Sequence, residues 1–411
     1  MTFKDLKLNK PILKALSEKN YEVPTPIQEY TIPLILDKKD IIASAQTGTG
    51  KTAAFALPIL QLLYDKQEAG KKGKKTRALV VSPTRELAIQ INENFNRYSK
   101  FTNLKSAVIF GGASIEPQKE VIKRGIDILI ATPGRLLDLH KQDIINLDYI
   151  ETLVLDEADL MLDMGFIDDV RKIERLCPSN KQTLLFSATM PHKVVDLAQT
   201  ILNNPEKVEV SPTSSTTKTV SQILYYTPKP QKIELCLHLL RSTINGNILI
   251  FRRTKYGVDK LEKSLLNNGY KVVSIHGDKA QSERQDAMND FKRGRANILI
   301  ATDVASRGID IKELDAVINF DMPNVPETYV HRIGRTGRAG SKGTAYSLCS
   351  ADEKTYVTAI QKTIDKIIPI EDEHPFPLDP KAKPQVHKKQ GSKYKKSRKS
   401  ESSKKKKKRW Y

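Results

Sequence analysis

The segment Ala45-Gln-Thr-Gly-Thr-Gly-Lys-Thr52 constrains this chain more than any other. An apolar run, Asp40–Ser44, leads into it, and a second apolar run at helical spacing, Ala53–Leu63, follows. A glycine-rich turn between a strand and a helix, closed by Lys-Thr, is a phosphate-binding loop of the G-x-x-x-x-G-K-[ST] type, here with Ala45 in place of the first glycine. The mechanics survive that replacement. Gly48 and Gly50 let backbone N–H groups close around phosphate oxygens, with Gln46, Thr47 and Thr49 between and before them. Lys51 reaches the β- and γ-phosphates, Thr52 offers a hydroxyl to Mg²⁺, and the start of the following helix favours an anion.

A loop of this kind sits at the carboxyl edge of a parallel sheet, and the rest of the chain reads as one. Short apolar runs alternate with amphipathic segments, the pattern of an α/β protein. Strands are expected at Asp40–Ser44, Ala78–Ser82, Ser106–Phe110, Asp127–Ala131, Thr152–Asp156 and Thr183–Ser187. A second set is expected at Asn247–Phe251, Lys271–Ile275, Asn297–Ala301, Ala316–Phe320 and Thr344–Cys349. Most are apolar at consecutive positions, as strands covered on both faces must be. Arg85–Tyr98 and Gln281–Lys292 read as helices. The polar stretch Ser211–Lys218, opened by a proline, reads as a flexible linker between two halves. Asp127-Ile-Leu-Ile-Ala-Thr132 is echoed by Asn297-Ile-Leu-Ile-Ala-Thr302, which fits two similar domains with a threonine at matching strand ends.

The 411 residues suit two or three domains at roughly 150 residues each. An apolar share of 39% rules out a wholly disordered chain. No stretch approaches the ~20 apolar residues of a membrane span, so no membrane association is expected. Met1–Lys10 lacks an apolar core, so no secretory leader is expected either. Cys177, Cys236 and Cys349 lie far apart, which argues against a disulfide framework or a zinc site and fits a reducing cytosol. The charge is concentrated at one end. Residues 381–411 hold 15 Lys and Arg against one acid, Glu401, while the body before them is nearly balanced. Such a polycation cannot bury enough apolar surface to offset its ordering entropy, so it is expected to be disordered. It reads either as a solubilising tail or as a nonspecific anchor for nucleic acid.

Two further motifs belong with the phosphate loop. Leu153-Val-Leu-Asp-Glu-Ala-Asp159 carries three apolar residues into Asp156 and Glu157. A P-loop enzyme needs one acid on the metal side and a group that orients or deprotonates the attacking water, and adjacent acids at a strand tip supply both. His331-Arg-Ile-Gly-Arg-Thr-Gly-Arg338 has three arginines and no acid. Alone it would be a surface basic loop. Across a linker from a P-loop it reads as a source of arginine fingers, here Arg335 and Arg338, acting on a transferring phosphoryl group.

Taken together, Ala45–Thr52, Asp156-Glu-Ala-Asp159, Ser187-Ala-Thr189 and His331–Arg338 resemble the motifs of the DEAD-box ATP-dependent RNA helicases, in the family's order. The resemblance runs from about Phe3 to about Leu378. Ala43–Gln46, Phe110–Gln118 and Leu162–Phe166 resemble the bacterial RhlE-type group in particular. The fold this implies is two RecA-like parallel-sheet domains. They would cover residues 1–208 and 220–368, joined by a linker at 209–219 and followed by an extension and basic tail at 369–411.

The resemblance also implies roles. Tyr21–Gln28 is similar to the family's Q motif, in which Gln28 would read the adenine edge and Tyr21 would stack on the base, with Phe3 as the upstream aromatic. ATP would be held by these residues, by Ala45–Thr52 and by Asp310 near the ribose. Thr52 and Asp156 would hold Mg²⁺, partly through water. Lys51, Glu157, Arg335 and Arg338 would be catalytic, and Ser187, Thr189 and His331 would couple hydrolysis to strand separation. RNA would be contacted by Pro83, Thr84, Arg85, Gly111, Gly112, Thr132, Pro133, Gly134 and Arg135 in the first domain. In the second it would meet Arg253, Thr254, Gly277, Gln281, Arg284, Thr302 and Asp303. Asn20 and Ser306 depart from the residues common in the family, glycine and alanine.

The expected activity is RNA-stimulated ATP hydrolysis that locally unwinds RNA duplexes or remodels RNA–protein complexes, by a cytoplasmic monomer. Structured or duplex RNA would be bound with little sequence preference, and ribosome-assembly or RNA-turnover factors would be partners. Two alternatives stand beside it. One is an ATP-gated RNA clamp or scaffold with little unwinding; the other is a DNA translocase on the same fold.

Overall fold

The computed structural model describes residues 1–45, 48–68, 75–210, 220–306, 314–337, 343–379 and 381–382. Gln46, Thr47, Asp310, Arg338, most of the expected linker and nearly all of the basic tail lie outside the described residues.

Two parallel sheets organise the chain. The first contains β1 (Ile41–Ser44), β2 (Ala78–Val81), β3 (Ser106–Ile109), β4 (Ile128–Ala131), β5 (Thr152–Leu155), β6 (Gln182–Ser187) and β7 (Glu206–Glu209), in the order β3-β4-β2-β5-β6-β1-β7. The second contains β8 (Val220–Tyr226), β9 (Ile248–Arg252), β10 (Val272–Ile275), β11 (Ile298–Thr302), β12 (Ala316–Asn319) and β13 (Gly343–Cys349), in the order β10-β11-β9-β12-β13-β8. Helices cover both faces, so alternate residues of one strand enter different cores. Ala78 and Val80 of β2 pack with Phe55, Phe95 and Phe186 on one side of the first sheet, while Leu79 and Val81 pack with Leu136, Met161 and Val170 on the other. The Phe55 ring lies 5.3 Å from that of Phe186 and 6.2 Å from that of Phe95, which seats the helix Lys51–Glu68 against the sheet.

The strand order separates two sets of loops. The segments after β1, β5 and β6, three neighbouring strands, carry the phosphate loop, Asp156–Asp159 and Ser187–Thr189. The segments after β2, β3 and β4, also neighbours, carry Pro83–Arg85, Gly111–Gly112 and Thr132–Arg135. In the second sheet Arg253–Thr254, Gly277 and Thr302–Asp303 follow the contiguous strands β9, β10 and β11. Carboxyl ends of strands are where open α/β sheets bind ligands.

Three features differ from the sequence expectation. β7 was not anticipated, because only Val208 of Glu206–Glu209 points inward and the other three residues are charged and exposed. β8 was missed beside the polar stretch before it. Residues 369–378, expected to lie outside the second domain, run along β8 instead. Leu224 N–H donates to Pro369 O at 2.8 Å, Glu371 N–H to Leu224 O at 2.9 Å, and Leu378 N–H to Tyr226 O at 3.0 Å. Ile368 is buried in the core of that domain, and Phe376 packs against it. Pro369, Pro375 and Pro377 hide the strand-like pattern in the sequence.

No described helix is long and apolar enough to cross a membrane. The three cysteines are buried and free.

Candidate active site and nucleic-acid interface

The phosphate loop turns from β1 into the helix Lys51–Glu68 through two left-handed glycines, Gly48 at φ +87° and Gly50 at φ +91°. A side chain at Gly50 would meet the Gln28 amide at 2.3 Å, so glycine is required there on both counts. Gln28 is buried. Its Nε2–H donates to Gly50 O at 3.1 Å and its Oε1 accepts from Thr25 N–H at 3.0 Å. The amide thus ties the start of its own helix to the phosphate loop. An amide has two N–H donors and two lone pairs, so each end retains one position for a base edge. Tyr21 is half-exposed, with its hydroxyl beside Tyr98; Phe3 lies in the core.

Lys51 is buried and donates to Glu157 Oε1 at 2.8 Å. Burial opposes the charge on Lys51, but Glu157 and Asp156 outweigh it and raise its pKa. Asp156, 2% exposed, is pushed up to about 7 by burial, which Lys51 only partly offsets. Glu157 holds a left-handed conformation, φ +56°, at the sharp turn out of β5, and its N–H donates to Asp156 Oδ1 at 3.1 Å. Non-glycine residues in this region carry strain of order 1–3 kcal/mol, and such strain clusters at functional sites.

Asp159 connects this cluster to the next strand. Its Oδ2 accepts from Thr189 N–H and Thr189 Oγ1–H, both at 2.8 Å. Its own N–H donates to Ser187 Oγ at 3.1 Å, and Ser187 Oγ–H donates to Thr189 O at 2.7 Å. Ser187 O in turn accepts from Ala45 N–H at 3.1 Å. Ser187 and Thr189 therefore bridge the acidic turn and the phosphate loop. Asp159 belongs to the acidic motif, but its position in the sequence alone assigns it no role.

Residue types and conformations in the Pro83–Arg85 and Thr132–Arg135 segments build a joined surface. Thr84 caps the helix Arg85–Tyr98, accepting from Leu87 N–H at 3.3 Å. Gly112, at φ +75°, leaves room for the Arg85 guanidinium, which a Cβ there would meet at 2.2 Å. Arg135 donates to Ala113 O at 3.1 Å, so Thr132–Arg135 supports the glycine pair. Gly111, Gly134 and Gly277 face open space.

The two domains meet through the helices Arg85–Tyr98 and Gln281–Lys292. Arg85 Nη1–H donates to Gln281 Oε1 at 3.4 Å, Gln281 Nε2–H donates to Glu86 Oε1 at 3.2 Å, and Arg284 pairs with Glu86 at 2.9 Å. Arg284 is buried there, with 7% exposed, so its guanidinium holds the domains together rather than standing open to RNA as the sequence reading expected. Glu86 was missed: it adjoins an assigned arginine, but its partner lies in the other domain. If Glu86–Arg284 closes the domains, Glu86→Gln raises the half-saturating RNA in the ATPase assay about 10–100-fold, since charge-assisted bonds contribute about 1.5–3 kcal/mol. An unchanged half-saturation would show that Arg284 acts without Glu86.

In the second domain Thr254 caps the helix Lys255–Asn267. Arg253 is turned onto its own domain, donating to Met322 O at 2.7 Å and to Glu353 Oε1 at 3.2 Å, with 44% of its side chain exposed. Asp303 pairs with Arg332. Arg335 is buried, and its backbone N–H donates to Arg332 O at 3.1 Å. His331 and Arg332 lie on the helix Pro326–Ile333, and Arg335 follows its end.

Among the described residues no group of three or more His, Cys, Asp or Glu could hold a metal ion unaided. The oxygen donors of Thr52 and Asp156 nonetheless suit Mg²⁺, which is usually bound by one or two carboxylates together with substrate phosphates. A cation would also compensate the buried Asp156.

Comparison with known proteins agrees with this geometry. The pattern of the DEAD/DEAH box helicases matches residues 25–197, and that of the helicase conserved C-terminal domain matches residues 231–340. The chain is 43% identical over 367 residues to the DEAD-box ATP-dependent RNA helicase RhpA of Helicobacter pylori, covering 89% of this chain and 73% of RhpA. Its structure is similar to Dbp5 of S. cerevisiae bound to RNA and ADP–BeF3, with a TM-score of 0.79, 32% identity, and coverage of 90% of this chain and 95% of that one. A DEAD box protein from Methanococcus jannaschii is more similar in sequence, 39% identical over 90% of this chain and 99% of that one. Its TM-score is only 0.52. Over the matched residues the fold superposes better on Dbp5 bound to RNA and ADP–BeF3 than on the sequence-nearer protein.

Proposed function

The chain belongs to the DEAD-box ATP-dependent RNA helicases, and from that premise we propose how its own residues divide the work. The observation that carries the assignment is the buried cluster of Lys51, Asp156 and Glu157, brought together from the ends of β1 and β5 on either side of β6. A cationic phosphate ligand, a metal-side carboxylate and a second acid there meet the requirements of phosphoryl transfer to water. ATP is the substrate. Lys51, Gly48, Thr49 and Gly50 bind its phosphates, together with Ala45, Gln46 and Thr47. Gln28 and Tyr21 select the base, and Asp310 meets the ribose. Thr52 and Asp156 hold Mg²⁺, which neutralises phosphate charge when bound. Glu157 leaves Lys51 for the attacking water, and Arg335 and Arg338 stabilise the charge that develops on the γ-phosphoryl group.

RNA lies along the strand ends after β2, β3 and β4 and after β9, β10 and β11. Contact with its sugar–phosphate backbone gives little sequence preference, and contact with 2′-hydroxyls favours RNA over DNA. Closure of the two domains bends the strand and unpairs a duplex locally. Asp159, Ser187, Thr189 and His331 link that closure to hydrolysis. We further propose a cytoplasmic monomer of the RhlE type that acts on structured RNA with ribosome-assembly or RNA-turnover partners. Displacement of one strand from a short RNA duplex tests the reading. It should require ATP and fail with an equivalent DNA duplex. ATP hydrolysis without displacement would favour a clamp, and displacement of DNA a translocase.

The basic tail has its own test. A flexible polycation releases counterions from RNA, with a log–log salt slope of about −0.7 per phosphate neutralised on a single strand. It also raises the effective RNA concentration near the domains. Truncation after Pro380 should raise the half-saturating RNA and flatten its salt dependence while leaving the plateau rate near that of the full chain. Equal half-saturation at low and moderate salt would reduce the tail to a solubilising role, and a collapsed plateau would make it part of the catalytic core. Trp410 and Tyr411 add base stacking in this reading.

A further inference from the structure

Arg332 is an arginine of the His331–Arg338 motif that the roles above leave unused. It is 2% exposed and lies on the helix that ends two residues before Arg335. Its Nε–H and Nη2–H donate to the two oxygens of Asp303 at 2.6 and 2.8 Å, directly after Thr302 of β11. Its Nη1 group donates to Asn319 Oδ1 at 3.2 Å and to Asp321 O at 2.7 Å, at the end of β12. Its guanidinium lies 4.9 Å from the Phe251 ring, next to the end of β9. One side chain therefore grips the carboxyl ends of three neighbouring strands.

Those strand ends carry the segments assigned to RNA. Asp321 extends the connection, since its Oδ2 accepts from Arg253 N–H at 2.9 Å and pairs with Arg252 at 3.0 Å. On the other side, Arg332 O accepts the backbone N–H of Arg335 at 3.1 Å. A planar guanidinium with two bonds to one carboxylate and two to another strand end has little freedom to move alone, and lysine cannot reproduce that fork. A shift of β9 or β11 on engaging RNA must therefore move the turn that presents Arg335.

We propose that Arg332, held by Asp303, is a positioning residue that transmits RNA engagement at the ends of β9 and β11 to Arg335. The proposal rests on the reading of Arg335 as an arginine finger and of these strand ends as the RNA surface. It adds that the finger is set by RNA through one buried side chain. Misplacing a reacting group by about 1 Å costs on the order of 10²-fold in rate. A displaced finger should therefore cost less than a deleted one.

The test uses the full-length chain and the variant Arg332→Lys, with three readouts: fluorescent ADP affinity and stoichiometry, half-saturating RNA, and the plateau ATPase rate. The expected result is a plateau lowered about 10–100-fold, with full ADP stoichiometry and half-saturating RNA within about threefold of the parent chain. A merely structural role would instead reduce ADP stoichiometry in proportion to the rate. That result, or a plateau within about twofold of the parent, overturns the proposal. If Arg332→Lys does not fold, Asp303→Asn decides by the same plateau. A lowered plateau supports the relay, while a shift confined to half-saturating RNA makes Asp303 a direct RNA contact and overturns it. Absence of RNA stimulation in the parent chain would instead refute the underlying functional reading.

Discussion

Arg335→Ala lowers RNA-stimulated ATP hydrolysis by about 10³–10⁵-fold, the range expected when an arginine finger is removed. The finger neutralises charge that exists fully only in the transition state, so its loss falls on turnover rather than on binding. The residues proposed to hold the phosphates, Mg²⁺ and the base, Lys51, Thr52, Asp156 and Gln28, lie in the first domain. Fluorescent ADP should therefore bind the variant within about threefold of its affinity for the parent. Arg335 is buried, so a thermal unfolding curve belongs beside the kinetics. Turnover within tenfold of the parent at saturating RNA would remove Arg335 from the chemistry.

Glu157→Gln lowers the same rate by about 10²–10⁴-fold, the usual contribution of a positioned acid–base group. Glutamine keeps the shape of the side chain and takes the left-handed backbone at this position as readily as glutamate. What it loses is the negative charge facing Lys51 at 2.8 Å and the capacity to accept a proton. Asp156 is retained, so ATP and Mg²⁺ should still bind. Trapped ATP in single-turnover mixing is the expected signature. Hydrolysis near the parent rate would show that Glu157 only balances Lys51.

Much of this arrangement could be read from the sequence because the chemistry is local. The phosphate loop, the Asp156–Asp159 turn and the His331–Arg338 segment each bring their groups together within eight residues or fewer. Strands buried on both faces announce themselves as apolar runs, and the helices Arg85–Tyr98 and Gln281–Lys292 begin and end where the pattern placed them. What escaped was non-local or weakly apolar. Glu206–Glu209 has one inward residue, and residues 369–378 mix three prolines with the charged and polar run Glu371–His374. Glu86 and Arg332 sit beside residues that were assigned, yet each takes its meaning from a partner distant in the chain. Arg284 and Asp303 were assigned to RNA by resemblance, and their guanidinium and carboxylate are engaged with Glu86 and Arg332. Only the folded geometry distinguishes a side chain that meets a ligand from one that holds its neighbour.

The central claim is that RNA completes an ATPase site divided between two domains. The most direct measurement is the steady-state ATP hydrolysis rate of the full chain, with Mg²⁺, as single-stranded RNA is titrated. The account predicts a low rate without RNA that rises saturably with RNA and does not rise with DNA of the same sequence. A rate that is already high without RNA, or that does not respond to it, would contradict the account.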